Sequence, residues 1–429
     1  MRTDKKTIQV ALLGAGTVGS GFYKLAEKMR EEIIQRVSCE LNIKYVLVRD
    51  AGKPRKGFDS EKFTEDINTI INDPEVEIVV ELMGGTTTAR EYINAALKAG
   101  KHVVTANKDL LAECGSEIFA LAKENKCDLQ FEAAVAGAIP IIRPIMQNMA
   151  GDNITEVMGI VNGTTNYILT RMTQANMSYK DALKEAQDLG YAESDPTADV
   201  EGYDAARKVA IISQLIYHSN VTFDDVYKEG ISRISFEDIK YAKDLGYIIK
   251  LIGLTRMTGC KIEARVHPML LEDDHPLAKV DNSFNGVFIS GEAMDDAMFM
   301  GRGAGSLPTA SAVLGDVMDV MRNICNDCCG RIQVENYLDI PIMSMEDVIS
   351  RFFLRTKVQD KPGVLAIIAK VIGDHNIGVD KLIQVETHDG TAEILFILKA
   401  AREDDMAKAC QAMVEIKEIF EICSLIRVH

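Results

Sequence analysis

At 429 residues the chain is too long for a single hydrophobic core and should hold roughly two to four domains. A net charge of −16 argues against nucleic acid or an anionic membrane as partner, although it leaves room for an anionic ligand in a local basic pocket. No apolar run reaches the length of a bilayer span, the polar opening (residues 1–6) leads directly into a strand rather than a signal peptide, and nine scattered cysteines fit reduced thiols, so a cytoplasmic protein is expected.

Residues 7–13 are β-branched and apolar, the pattern of a buried strand. Gly14-Ala15-Gly16-Thr17-Val18-Gly19 follows at once, and a helical pattern runs over 18–35. This is G-x-G-x-x-G between a strand and a helix, where glycines allow a tight turn and close approach of a pyrophosphate to the helix N-terminus. Gly14, Gly16, Thr17, Val18 and Gly19 are therefore expected to hold a dinucleotide. A second strand, 41–48, ends in Arg49-Asp50. A basic residue there accommodates a 2′-phosphate and an acidic one a ribose hydroxyl. Arg49 comes first, which favours NADP; Asp50 keeps NAD open. Lys53 and Arg55 read as a solvated loop.

Strands at 77–82, 102–105 and 128–133 alternate with helices at 89–99 and 115–124, the signature of a doubly wound parallel sheet with ligands at the carboxyl ends of its strands. Gly84-Gly85-Thr86-Thr87 and Thr105-Ala106-Asn107-Lys108 lie at such ends. Lys108 reads as a loop lysine at the mouth of the fold. Beyond Pro140 the alternation thins. A strand at 154–161 meets the turn Asn162-Gly163-Thr164-Thr165, with Thr164 as a helix cap.

The densest stretch of chemistry runs from Asp188 to Lys208. Gly190 should end a helix, and Pro196 should keep the following loop irregular. A helix from about Gly202 to Tyr217 then places Asp204 and Lys208 one turn apart among Ala205, Ala206, Val209 and Ala210. A charged pair in apolar surroundings is partly desolvated and suits proton transfer; taken alone, the stretch reads rather as an ordinary solvated helical ion pair with loop carboxylates beside it, since structural ion pairs outnumber catalytic ones. Strands follow at 248–255, 261–269 and 284–290, then a glycine-rich loop at 301–305 and an apolar helix to about 324. Cys325, Cys328 and Cys329 cluster without further metal ligands nearby in sequence. A polar stretch, 331–346, precedes a βαββαβ pattern over 352–428, with His388-Asp389-Gly390 as its hairpin turn; this is a ferredoxin-like module without a nucleophile–base arrangement.

Six segments in this order resemble the homoserine dehydrogenase family with a C-terminal ACT domain: 14–19, Glu81-Leu82-Met83-Gly84-Gly85, 105–108, 162–165, 190–208 and 303–316. The resemblance covers nearly the whole chain. It implies an α/β protein of three parts: a Rossmann domain over 1–140 completed by 303–324, an α+β substrate and dimerisation domain over 141–330, and, after a linker at 331–350, an ACT domain over 351–429. It implies reversible, NAD(P)H-dependent reduction of L-aspartate 4-semialdehyde to L-homoserine. Lys208 and Lys108 would sit at the reacting oxygen, with Glu193 and Asp204 holding the substrate. Lys108 and Gly305 would also touch the cofactor. Glu132, with the carbonyls of Val135, Gly137 and Ile139, would hold a monovalent cation, Na+ or K+. A homo-oligomer (dimer or tetramer) and an amino-acid effector, threonine first, are also implied. Deletion of 352–429 is expected to leave turnover and remove feedback. A non-catalytic sensor, or an oxidoreductase for another amino acid, would be the competing readings; Lys108 and Lys208 argue against the first.

Overall fold

The computed structural model describes residues 6–386 and 390–429, and these fall into two compact units. The first contains the chain up to Thr155, Arg207–Val226 and Asn285–Ile340; the second contains Glu156–Ala206, Tyr227–Phe284 and Pro341–His429.

The first unit is built on a six-stranded sheet. Its spatial order is Phe63–Thr64, Glu40–Leu47, Thr7–Leu13, Val76–Glu81, His102–Thr105 and Leu129–Gln130, every pair parallel. Parallel strands joined by helical crossovers are covered on both faces, which is why they read as near-continuous apolar runs. Ile8, Val10 and Leu12 pack with Phe22 and with Val313, Val317 and Met321 of the helix Ser306–Cys325. Ala11 and Leu13 face the other way, against Ile93, Leu97 and Leu110. The expected doubly wound sheet is present, with local differences. The helical pattern at 18–35 is two helices, Thr17–Lys28 and Arg30–Val37, broken at Met29. Strand 128–133 shrinks to Leu129–Gln130, because the chain enters a 3₁₀ turn at Glu132–Ala134. A helix begins at Lys108, not 115, and is kinked at Cys114, so Lys108 is not a loop lysine. A strand unread in the sequence, Asp295–Arg302, takes in the first two residues of the glycine-rich loop. Cys39 and Cys325 are joined by a disulfide, so the all-thiol expectation does not hold for this pair.

The second unit carries an antiparallel hairpin, Tyr247–Thr258 with Lys261–Glu272, flanked by Ile154–Ile160. The C-terminal βαββαβ pattern is found as read: Ile349–Gln359, helix Val364–Asp374, Val379–Glu386, Thr391–Arg402, helix Glu403–Val414 and Ile419–Val428. Its core joins Phe352, Leu354, Ile368, Phe396 and Met406. His388 and Asp389 of the expected hairpin turn, like residues 1–5, lie outside the described residues. The module is not a detached bead. Ile419–Val428 pairs in parallel with Lys261–Glu272 through Met269↔Arg427 and Leu270↔Val428, so one sheet runs through both. Buried charges reinforce the seam. Arg355 Nε donates to Asp238 at 2.9 Å, Arg265 Nη1 donates to Ser350 Oγ at 2.9 Å, and Arg427 bridges Glu403 and Glu229. Among the described residues no helix is long and apolar enough to cross a membrane.

Candidate active site

In the first unit a cavity of about 610 Å³ opens at the carboxyl ends of the parallel strands. Its floor is the glycine turn. Gly14 has φ +102°, and a Cβ there would fall 2.8 Å from the Leu82 carbonyl oxygen; one at Gly19 would fall 2.2 Å from the Gly14 oxygen. Gly16 caps the helix Thr17–Lys28 with no side-chain cap, and no atom lies within 4 Å of where its Cβ would be. The turn is thus closed by its outer glycines and open at its middle one, which leaves helix N–H groups facing the cavity.

Arg49, Arg55 and Glu65 form one wall. Arg55, read from sequence as solvated loop, belongs to the cavity: its Nη1 donates to the carbonyls of Asp50 and Lys53, and its guanidinium lies 5.3 Å from the Phe63 ring. Asp50 is turned into its own loop, where Oδ1 accepts from Gly52 N at 2.9 Å. The opposite wall includes Gly84, Gly85, Thr86 and Thr87.

A polar chain that the sequence reading passed over ties that wall to Lys108. Fully buried Glu81 accepts from the backbone N–H of Met83 and Gly84 and from Thr105 Oγ1 at 2.6 Å. Thr105 Oγ1 accepts from Asn107 N, and Asn107 Nδ2 donates to the Gly85 carbonyl at 2.8 Å. Asn107 Oδ1 also caps the helix that Lys108 opens. The only sequence signal was a carboxylate ending a buried strand.

Lys208 is 8 % exposed on the helix Tyr203–Tyr217. The residues beside the two lysines are paired: Arg207 and Asp109 make an ion pair at 2.7 Å, with the Arg207 guanidinium 4.6 Å from the Phe223 ring. Gln214, two turns after Arg207, donates through Nε2 to the Leu111 carbonyl, so the two helices are held at two points. Lys108 and Lys208 are each one residue from this clamp.

In the second unit Asn162, not Thr164, caps the helix Gly163–Ala175: its Oδ1 accepts from Thr165 N, and Thr164 Oγ1 donates to the Tyr191 carbonyl. Asn162 Nδ2 meanwhile donates to Asp199 at 2.7 Å and Asp204 at 2.9 Å. The sequence signalled neither this bridge nor Asp199. Pro196 leads into a one-turn helix, Thr197–Val200, rather than an irregular loop, and that turn presents Asp199. Glu193 is exposed just before it, its carbonyl accepting from Gln187 Nε2.

Glu132 is buried, and its carboxylate is held by the backbone N–H groups of Ile141 at 2.5 Å, Ile142 at 2.8 Å and Arg143 at 2.9 Å. Asp316 accepts from Glu132 N at 2.8 Å and from Arg143 Nη2 at 2.5 Å. Burial pushes the Asp316 carboxyl up to about 8, with Arg143 opposing and the Glu132 charge adding. Between these groups Ala136 and Gly137 are both left-handed, which bends residues 135–139 so that their carbonyls need not alternate as in a strand.

His102, Asp128 and Cys329 are the one group among the described residues with metal-like proximity. The hydrogen bonds speak against it. His102 Nδ1 accepts from Asp128 N at 2.9 Å, which puts the ring proton on Nε2 and leaves neither nitrogen to ligate. The Asp128 carboxylate is taken by Gly330 N and Asn323 Nδ2.

The family models that match this chain are homoserine dehydrogenase over residues 140–318, the homoserine dehydrogenase NAD-binding domain over 14–132, and the ACT domain over 352–416. A homoserine dehydrogenase of Bacillus subtilis is 44% identical over 427 residues, covering 99% of each chain. The crystal structure of a homoserine dehydrogenase from Thiobacillus denitrificans superposes with a TM-score of 0.92 at 38% identity, covering 99% of both chains. A hyperthermophilic archaeal homoserine dehydrogenase in complex with NADPH covers 73% of this chain and 97% of its own, at 27% identity and TM-score 0.62. With a glycine turn open on a cavity, two lysines beside one helix clamp and these relatives, the chain belongs to the homoserine dehydrogenase family.

Proposed function

We propose that this enzyme interconverts L-aspartate 4-semialdehyde and L-homoserine with NADP(H) as the preferred cofactor, on the route from aspartate to threonine, methionine and isoleucine. The observation that carries the reading is the Arg207–Asp109 clamp beside Lys208 and Lys108, in the same unit as the dinucleotide cavity. The cofactor, when bound, supplies the hydride. As hydride reaches the aldehyde carbon, negative charge grows on the carbonyl oxygen; an ammonium group at that oxygen stabilises the charge and donates the proton that completes the alcohol. Lys208 takes that role, and Lys108 orients the same oxygen and the nicotinamide end of the cofactor. Asp204, fixed by Asn162, and Glu193 hold the ammonium group of the substrate. The test is the near-ultraviolet absorbance of reduced cofactor, followed with homoserine and each cofactor in turn. No absorbance change with either would overturn the assignment.

Arg49 and Arg55 together give the cavity wall two guanidinium groups where a 2′-phosphate would lie, while Asp50 is engaged in its own turn. Arg49→Ala is expected to weaken NADPH by about tenfold, one charge-assisted contact, and NADH by much less. Titration of both cofactors decides it; equal losses would mean that Arg49 does not read the phosphate.

The monovalent cation belongs at the carbonyls of Glu132, Val135, Gly137 and Ile139. The consecutive left-handed residues Ala136 and Gly137 turn the carbonyls of residues 135–139 out of strand alternation, which suits a small cation with hard oxygen ligands. A bound cation would steady this segment; no chemistry passes through it.

The C-terminal module is the feedback element. Threonine, as an end product, is the effector expected to inhibit, by binding one conformation of the enzyme more tightly than another. Activity across a threonine series, with methionine and isoleucine as controls, tests this; an enzyme indifferent to all three would refute the sensor role. The paired arrangement usual for such modules makes a homodimer or tetramer the expected assembly.

A further inference from the structure

Asn285 stands second in the strand Phe284–Gly291 and is 1 % exposed. Neither the oxygen nor the nitrogen of its carboxamide has a hydrogen-bond partner among the described residues. Buried side-chain amides are almost always paired, so a wholly unpaired one marks a place where something else supplies the partner. The amide is pressed against the turn after Asp295–Arg302: a Cβ built on Gly303 would fall 2.1 Å from Asn285 Nδ2 and 2.4 Å from Oδ1. Gly303 in turn backs onto the segment assigned above to the cation. A Cβ on Gly137 would fall 2.2 Å from the Gly303 carbonyl oxygen, Ala138 N donates to the Arg302 carbonyl at 3.1 Å, and a Cβ on Gly301 would touch the Ile139 side chain. Residues 137–139 and 301–303 therefore run side by side, with the Asn285 amide against Gly303. Two buried carboxylates flank the same segment: Asp316 takes the Arg143 guanidinium, and Glu132 takes three backbone N–H groups.

We propose that the Asn285 carboxamide oxygen is a further ligand to the monovalent cation, alongside the carbonyls of residues 132, 135, 137 and 139. The inference rests on the cation reading above. An amide oxygen is a hard donor of the kind alkali cations prefer. A half-turn of the carboxamide presents oxygen from either edge, so the amide needs no backbone rearrangement to ligate. Glycine at 303 is required because any side chain would occupy the space the amide fills.

The experiment is a thermal-melt titration of the full-length protein with NaCl and with KCl, at ionic strength held constant by choline chloride, which cannot ligate. Wild type should show a saturable rise in Tm with one or both alkali cations. Asn285→Ala should move the midpoint of that titration to at least about tenfold higher salt. Its affinity for NADPH, read in choline chloride by cofactor fluorescence, should match wild type. Asn285→Asp keeps the size and adds charge, so its midpoint should fall several-fold; this variant decides the matter if the alanine protein does not fold. Midpoints equal to wild type in both variants would overturn the role of Asn285 and leave the cation reading intact. A wild type that responds to alkali cations no differently from choline would overturn the cation reading, and this proposal with it.

Discussion

Lys208→Ala is expected to lower turnover by on the order of a hundredfold or more while leaving cofactor affinity near that of wild type. Lys208 is almost wholly buried on a helix whose neighbouring side chains, Ala205, Val209 and Ile212, are core. Water is therefore a poor substitute for its ammonium group when charge grows on the reacting oxygen. Its place is rigid, because the adjacent Arg207 is ion-paired to Asp109 and Gln214 reaches the Leu111 carbonyl. The cavity that takes the dinucleotide is lined by other residues, so binding should survive the change. Lys208→Arg separates charge from proton transfer. The guanidinium stays charged but gives up no proton, so turnover should remain far below wild type. The measurements are steady-state turnover in both directions and a cofactor titration. An alanine variant within a few fold of wild type would refute the role; a variant that also loses cofactor binding would point to a structural one.

The second large effect concerns stability. Arg355→Ala should cost about 3–5 kcal/mol, the range for leaving one member of a buried ion pair alone. Arg355 is 6 % exposed and Asp238 fully buried. The guanidinium donates to Asp238 at 2.9 Å, to Glu393 at 3.2 Å and to Ser235 Oγ at 3.0 Å. Ser424 Oγ adds a bond to the same Asp238 oxygen at 2.6 Å. One carboxylate therefore ties the helix Phe236–Asp244 to two strands of the C-terminal module. Chemical unfolding of the alanine variant measures the loss, and Asp238→Asn combined with Arg355→Met should recover most of it, since the unpaired charge is then gone. A loss under about 1 kcal/mol would mean that the pair behaves as a surface one.

The same seam changes what removal of 352–429 should do. Composition alone suggests a linker and a detachable tail, and a truncated enzyme that merely loses feedback. With strand Ile419–Val428 hydrogen-bonded to Lys261–Glu272, and with Arg355 and Arg427 engaged across it, truncation uncovers an open strand edge and takes the guanidinium partners from Asp238 and Glu229. The truncated protein is expected to melt lower and aggregate. Feedback is better tested by effector titration of the whole chain than by deletion.

Much of this was already legible in the amino-acid order, wherever a property is carried by neighbours in the chain. The strand Thr7–Leu13 and its glycine turn, the helix from Tyr203 with Lys208 one turn after Asp204, and the βαββαβ tail are all local patterns, set by period, glycine spacing and branching. The order and type of elements in the parallel sheet follow from them. What the fold alone decided depends on residues far apart in sequence. Asn162 reaches Asp199 and Asp204 only because the chain returns to it, and Glu81 meets Thr105 only because two parallel strands lie side by side. Arg55 turns from a solvated loop residue into a cavity wall because the parallel sheet sets its loop beside the glycine turn, whereas Lys108 opens a helix because its neighbour Asn107 caps it, a local signal. Asn285 is a polar letter in a largely apolar strand; its unpaired amide is visible only once Gly303 is packed against it. Local sequence determines which elements form, since their energetics are short-range. Which polar groups are buried together is decided by packing, and that is where the chemistry of the site resides.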